Sequence, residues 1–197
     1  MKNRNQQGFT LIEILLVLAI IAALGVAAFI IYPRVQAGRQ ATNNTSILNS
    51  AAAQINSVFP SARYGNLTDI VACNADVFPD NFKIAPACAA GNLINEWQGV
   101  VAVHGADVTG ATNATVNARY YTITYPNVPS KVCTKLAPAL AANFGIVGIG
   151  ADETSALGAG KIVDTYNAVA TDDAVDEATM TAACNAAAAV TISMVGK

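Results

Sequence analysis

Residues 8–32 open with Gly8-Phe9-Thr10-Leu11-Ile12-Glu13 and continue through Ile14–Tyr32, nineteen residues without a charge. A helix over that uncharged run is roughly 28 Å long at about 1.5 Å per residue, close to the hydrocarbon thickness of a bilayer. The run is therefore able to span a membrane. Ahead of it stands the polar octapeptide MKNRNQQG with Lys2 and Arg4, and the positive-inside bias keeps that end cytoplasmic and sends the chain after Tyr32 outward. A conventional secretory signal, with Val35-Gln36-Ala37 as its small-residue cleavage site, fits less well. Its apolar core would exceed the usual length of about 7–15 residues, and Glu13 sits inside the apolar block Phe9–Tyr32. A carboxylate at the centre of the hydrocarbon costs on the order of 2–3 kcal/mol, less near an end, so Glu13 calls for a cationic partner.

Working outward, composition divides at the same place. The chain has 197 residues, 53% hydrophobic and 12% charged, where about 25% charged is usual. Residues 1–32 hold 22 of the hydrophobic side chains, so the remainder has the balance of a water-soluble domain, and disorder is excluded. Alanine contributes 39 residues, 34 of them after Tyr32, which implies a core of small side chains. The formal charge is −2 and Lys and Arg are scattered, which argues against nucleic acid as a main partner. After residue 136 there are seven acidic residues against two basic ones, an acidic C-terminal region that reads as solvated surface.

The motif at Gly8–Glu13, with its short basic leader and Ile/Leu/Val/Ala-rich span, resembles the class III signal of type IV prepilins and of the related pseudopilins of type II secretion. The resemblance implies that a prepilin peptidase cuts between Gly8 and Phe9 and methylates the new amino terminus of Phe9, leaving the apolar helix on the protein. It implies three segments: a leader over 1–8, a long helix over 9–59 with its membrane span at 9–32, and a disulfide-linked head over 60–197. Cleavage would create a cationic amine four residues before Glu13. In a filament that amine can meet the Glu13 of an adjacent subunit, a pairing that penalises wrong axial register more than it adds raw stability.

Past Tyr32 helical periodicity resumes, with Ile47, Ala51, Ile55 and Phe59 on one face beside Leu48, Ala52 and Val58, and with Asn43, Asn44, Gln54 and Asn56 as polar positions. Gly25 and Pro33 interrupt this helix and Pro60 ends it. Residues 60–95 read as a structured loop rich in turn formers. Strands are expected at Gly99–Val103, Arg119–Tyr125, Gly145–Ile149 and Ala189–Val195, and His104–Asn117 reads as a turn or irregular hairpin. Ser130 is expected to cap a short helix carrying Val132, Leu136 and Leu140, and Asp173–Asn185 reads as a short helix or loop. The fold class is α+β, a long N-terminal helix covering an antiparallel sheet, as in the pilin fold. Asn95-Glu96-Trp97, Tyr121–Asn127, Val128-Pro129 and Cys133 resemble the type IVb pilin head, while the short leader and Phe9 resemble the type IVa class.

Cys73, Cys88, Cys133 and Cys184 all lie in the part placed outside the cytoplasm, where two disulfides are the natural reading. Three pairings are possible, and short-range closure favours Cys73–Cys88 and Cys133–Cys184. The second pair resembles the disulfide-bounded C-terminal region of pilins. With no CxxC spacing and His104 as the single histidine, neither a metal site nor a nucleophile–histidine site is expected. Asp172-Asp173 with Asp176-Glu177 lack the spaced ligands of a calcium loop and read as a solvated turn.

The resemblance implies a structural, non-enzymatic subunit without cofactor, a homopolymer of identical copies served by prepilin peptidase and pilus assembly machinery. It would reside in the bacterial inner membrane as precursor and then in an extracellular pilus fibre. The alternatives are a minor pilin or pseudopilin and, from a different class, a membrane-anchored periplasmic enzyme or binding module.

Overall fold

In the computed structural model, residues 10–85, 87–106, 118–166 and 174–197 are described. The chain divides into two compact units, Met1–Ala37 and Gly38–Lys197. The first helix, α1 (Leu11–Val58), contributes to both and is helical through Gly25 and Pro33. Pro33 has no amide to donate, and the helix continues past it. α1 ends where expected: Phe59 still donates to the Ile55 carbonyl at 3.0 Å, and Pro60 follows.

In the second unit α1 presents a stripe at helical spacing, with Ala41, Asn44, Leu48, Ala51 and Ile55 buried. Asn44 belongs to this apolar face and not to the polar one that periodicity gave it, because its amide finds partners inside the head. After α1 come α2 (Asp69–Asn74), β1 (Ala102–Ala106), β2 (Tyr120–Pro129), α3 (Ser130–Ala141), β3 (Ile146–Gly150), α4 (Glu153–Leu157), β4 (Lys161–Asp164), α5 (Glu177–Cys184) and β5 (Ala189–Gly196). The sheet is antiparallel with strand order β1-β2-β5-β3-β4. The α+β architecture of a long helix on an antiparallel sheet is the one read from sequence.

Alternation along β2 sorts the two faces. Tyr121, Ile123 and Tyr125 are buried on the side that meets α1, while Thr122 and Thr124, also buried, face the other way. On that second face Thr122 stands opposite Val195 and Thr124 opposite Ser193 of β5. Short α4 covers part of it. A Cβ at Gly148 would run into the Ala156 carbonyl of α4, so glycine is what lets the helix lie so close.

Several local readings are corrected. β1 begins at Ala102, later than Gly99, because Val100 pairs with Ile94 in a separate bridge. His104 and Gly105 lie in that strand and not in a turn; the remainder of the expected hairpin, 107–117, lies outside the described residues. Ser130 is the first residue of α3 and Pro129 occupies the N-cap without a side-chain hydrogen bond, because β2 runs directly into the helix. Val132, Leu136 and Leu140 are buried as the spacing requires.

Candidate assembly helix and the head that carries it

Among the described residues of the first unit, the apolar side chains from Leu11 to Tyr32 are exposed. Leu11, Ile12, Phe29 and Tyr32 are 77%, 74%, 85% and 65% exposed, and Ile14, Leu15, Leu16, Leu18, Ile20 and Ile21 are exposed as well. The most apolar eighteen-residue stretch of α1 has none of its residues buried, and it is long and apolar enough to cross a membrane. A contiguous apolar surface of this size marks an interaction site, here on every side of one helix. Glu13 lies in the first turn, its amide donating to the Thr10 carbonyl at 3.1 Å, in a recess shared with Ile14, Val17 and Leu18. Near a helix N-terminus the macrodipole favours a negative charge. The expected cleavage point, Gly8 and Phe9, lies outside the described residues.

The head is held together by features that only partly announced themselves. Cys73 is bonded to Cys88, Cα to Cα 5.6 Å, and Cys133 to Cys184, 5.7 Å. The first bond anchors α2 to the following loop. The second joins buried atoms of α3 and α5 across 51 residues of sequence. Asn95-Glu96-Trp97 forms a clamp: the buried Asn95 side chain accepts from the Trp97 amide at 3.0 Å and the Gly99 amide at 2.8 Å. Its own amide donates to the Pro126 carbonyl of β2. Glu96 accepts from Asn44 at 2.8 Å, Asn44 also donates to the Gln40 carbonyl at 2.8 Å, and the Tyr125 hydroxyl donates to the Asn44 oxygen. Trp97 meets the Tyr125 ring edge to face at 5.9 Å. Helix, loop and sheet thus converge on one asparagine, and burial holds the Tyr125 phenol protonated, its pKa well above the usual 10.

His104 has a partner that sequence reasoning missed. Its Nε2 lies 2.8 Å from Glu153 of α4 and its Nδ1 3.1 Å from the Gly105 carbonyl, so both nitrogens face acceptors, as suits an imidazolium. The other Glu153 oxygen accepts from Thr124 at 2.7 Å. Burial opposes a charged His104, but the hydrogen bonds to Glu153 and then to Gly105 outweigh it and leave the pKa above the usual 6.5. Burial likewise pushes Glu153 up; hydrogen bonds from His104 and Thr124 overcome that and leave it below the usual 4.5. These groups tie edge strand β1 to α4 and β2, so the arrangement reads as a structural tie. Asp176 caps α5, accepting from the Ala178 and Thr179 amides at 3.0 Å each, and Glu177 is exposed in the first turn. Asp172 and Asp173 lie outside the described residues.

Comparison with known proteins brings the two units together. Residues 3–29 match the prokaryotic N-terminal methylation motif, and residues 34–197 match the PilS N-terminal family. The chain is a type IV pilin of the PilS family. The crystal structure of TcpA, a type IV pilin from Vibrio cholerae El Tor biotype, is similar to this pilin with a TM-score of 0.54 and 13% identity over 81% of this chain and 100% of that one. At that identity the likeness concerns the fold. No curated protein sequence matches the pilin. As a pilin it is a structural, non-enzymatic pilus subunit, a membrane-anchored precursor that prepilin peptidase processes for pilus assembly.

Proposed function

We propose that this pilin is the polymerising subunit of an extracellular fibre, built through bundling of its apolar helix after cleavage between Gly8 and Phe9. The observation that carries the reading is the complete exposure of the apolar half of α1 in the isolated chain, a surface suited first to lipid and then to other copies of itself. Cleavage removes residues 1–8, with Lys2 and Arg4, and takes the formal charge from −2 to −4. It supplies the N-methylated Phe9 amine as the cation that Glu13 needs. In low dielectric an unpaired charge costs several kcal/mol, so a subunit docked with its amine away from a neighbour's Glu13 is rejected. Heads on the periplasmic side of the inner membrane then become the outer layer of the fibre.

Glu13→Val tests this. It is expected to leave processing of the leader intact and to abolish filaments; abundant normal filaments from the variant contradict the register role. The mass share of this pilin in sheared surface filaments distinguishes a major subunit, which dominates that fraction, from a minor pilin or pseudopilin, which is a trace of it.

A further inference from the structure

The uncharged run of α1 has two borders, and a polar side chain marks each. Glu13 immediately precedes the run and Tyr32 is its last residue. The two stand nineteen residues apart on one helix. At about 1.5 Å per residue that is roughly 28 Å, against about 30 Å of hydrocarbon in a bilayer. With Glu13 at one border, where a carboxylate costs less than at the centre, Tyr32 falls at the other. An amphipathic ring is at home there, its body among acyl chains and its hydroxyl among headgroups.

The surroundings of Tyr32 fit that place. Gln36, one turn further on and also exposed, donates a side-chain N–H to the Tyr32 hydroxyl at 2.6 Å. The phenol keeps its own hydrogen to donate, and the Gln36 amide keeps its second one. Phe29, exposed and one turn before Tyr32, shares this side of α1 by helical spacing. Along that side the order is apolar ring, amphipathic ring, amide, a gradient roughly 10 Å long at about 1.5 Å per residue. An exposed pair of this kind does little for a helix by itself. Its two outward hydrogens suit a partner that offers acceptors beside an apolar interior, which describes the phosphodiester and ester carbonyl oxygens of a phospholipid layer.

We propose that Tyr32 and Gln36 anchor the precursor at the head-side border of the bilayer by donating to phospholipid oxygens, and so hold Glu13 at the opposite border. This rests on the reading that the run Ile14–Tyr32 spans the membrane. All four native cysteines are paired in disulfides, so an introduced cysteine is a unique thiol. Full-length precursor carrying Ile20→Cys, Ile31→Cys or Val35→Cys is reconstituted in vesicles of phosphatidylethanolamine and phosphatidylglycerol and treated with a membrane-impermeant maleimide. Each labelling rate is divided by that of the same chain in detergent, which removes differences in intrinsic reactivity. Val35→Cys is expected to label about tenfold faster than Ile31→Cys, with Ile20→Cys protected. Adding Tyr32→Phe, which keeps the ring and removes only the hydroxyl, lets the ring sink and slows labelling at Val35→Cys about threefold; Gln36→Leu on top brings the loss to about tenfold. An unchanged rate at Val35→Cys in the double variant overturns the proposal, as do equal rates at Ile31→Cys and Val35→Cys in the otherwise unaltered chain. Fast labelling at Ile20→Cys would instead refute the membrane span itself.

Discussion

The two halves of α1 are equally helical and carry opposite surfaces. Between Leu11 and Tyr32 the large apolar side chains are exposed, whereas from Gly38 to Val58 the buried residues form a single stripe and, apart from half-buried Ile47 and the terminal Val58, the rest of the circumference is polar or small. Helix propensity does not distinguish them. What differs is where the apolar groups find company: the second half buries Leu48, Ala51 and Ile55 in its own head, and the most apolar stretch of the first half buries none. A helix that is apolar all round is stable only in lipid or buried in protein. On the proposed function, this difference separates packing within the head from assembly, for which the exposed half is held in reserve.

Perturbations sort by which half they touch. The largest effect on folding is expected from the covalent ties, since an alanine-rich head has a thin core. Cys133→Ala with Cys184→Ala, which opens a loop of 51 residues, is expected to destabilise the head by about 4 kcal/mol, against about 3 kcal/mol for the Cys73–Cys88 pair, on the chain-entropy account. Denaturant melts of the detergent-solubilised pilin measure both. Next, Leu48→Ala removes a fully buried side chain and is expected to cost about 2–5 kcal/mol in the same melts. Leu18→Ala, 56% exposed in the isolated chain, is expected to leave the melt unchanged and to act on filament yield. Equal effects of the two leucines on the head would break the comparison.

Smaller effects probe the join between α1 and the sheet. Tyr125→Phe leaves the buried Asn44 oxygen without its donor and is expected to cost about 1–3 kcal/mol. The pH dependence is smaller still. His104 has its pKa raised above 6.5, so its contribution to stability is complete below that value and is lost as pH rises through the raised one. Glu153 has its pKa lowered below 4.5, so its contribution is complete above that value and is lost as pH falls through the lowered one. The tie between β1 and α4 therefore contributes most between pH 4.5 and 6.5. Because the pair is only partly shielded from water, the loss on either side is on the order of 1 kcal/mol or less. His104→Gln is expected to flatten the alkaline arm of the melting-temperature profile, and an unchanged arm would show that the tie carries no stability.

How much of this was legible from sequence follows the physics of each feature. The long helix announced itself through nineteen uncharged residues and then a 3.6-residue period, and β2 through its Tyr/Thr alternation. β4 has four residues and α4 five, too few to establish a period among glycines. Asn44 read as solvent-facing because a pattern of polarity cannot see the Tyr125 hydroxyl and Glu96 that receive it. His104 read as a turn residue because Gly105 follows it. That glycine is there because the Tyr64 carbonyl passes so close to the edge strand that any Cβ would collide with it. The Glu153 partner is 49 residues away and carried no local signal. The acidic character of the C-terminal region was visible, whereas the hydrogen bond of the Asp176 amide to the Ile162 carbonyl of β4 required the fold.

The central claim is that the apolar half of α1 is a retained, processed assembly element, and the mass of the mature N-terminus tests it most directly. The account predicts a chain from surface filaments that begins at an N-methylated Phe9 with the rest of α1 intact. A chain that keeps Met1, or one that begins near Gly38 with the apolar half removed, would contradict it.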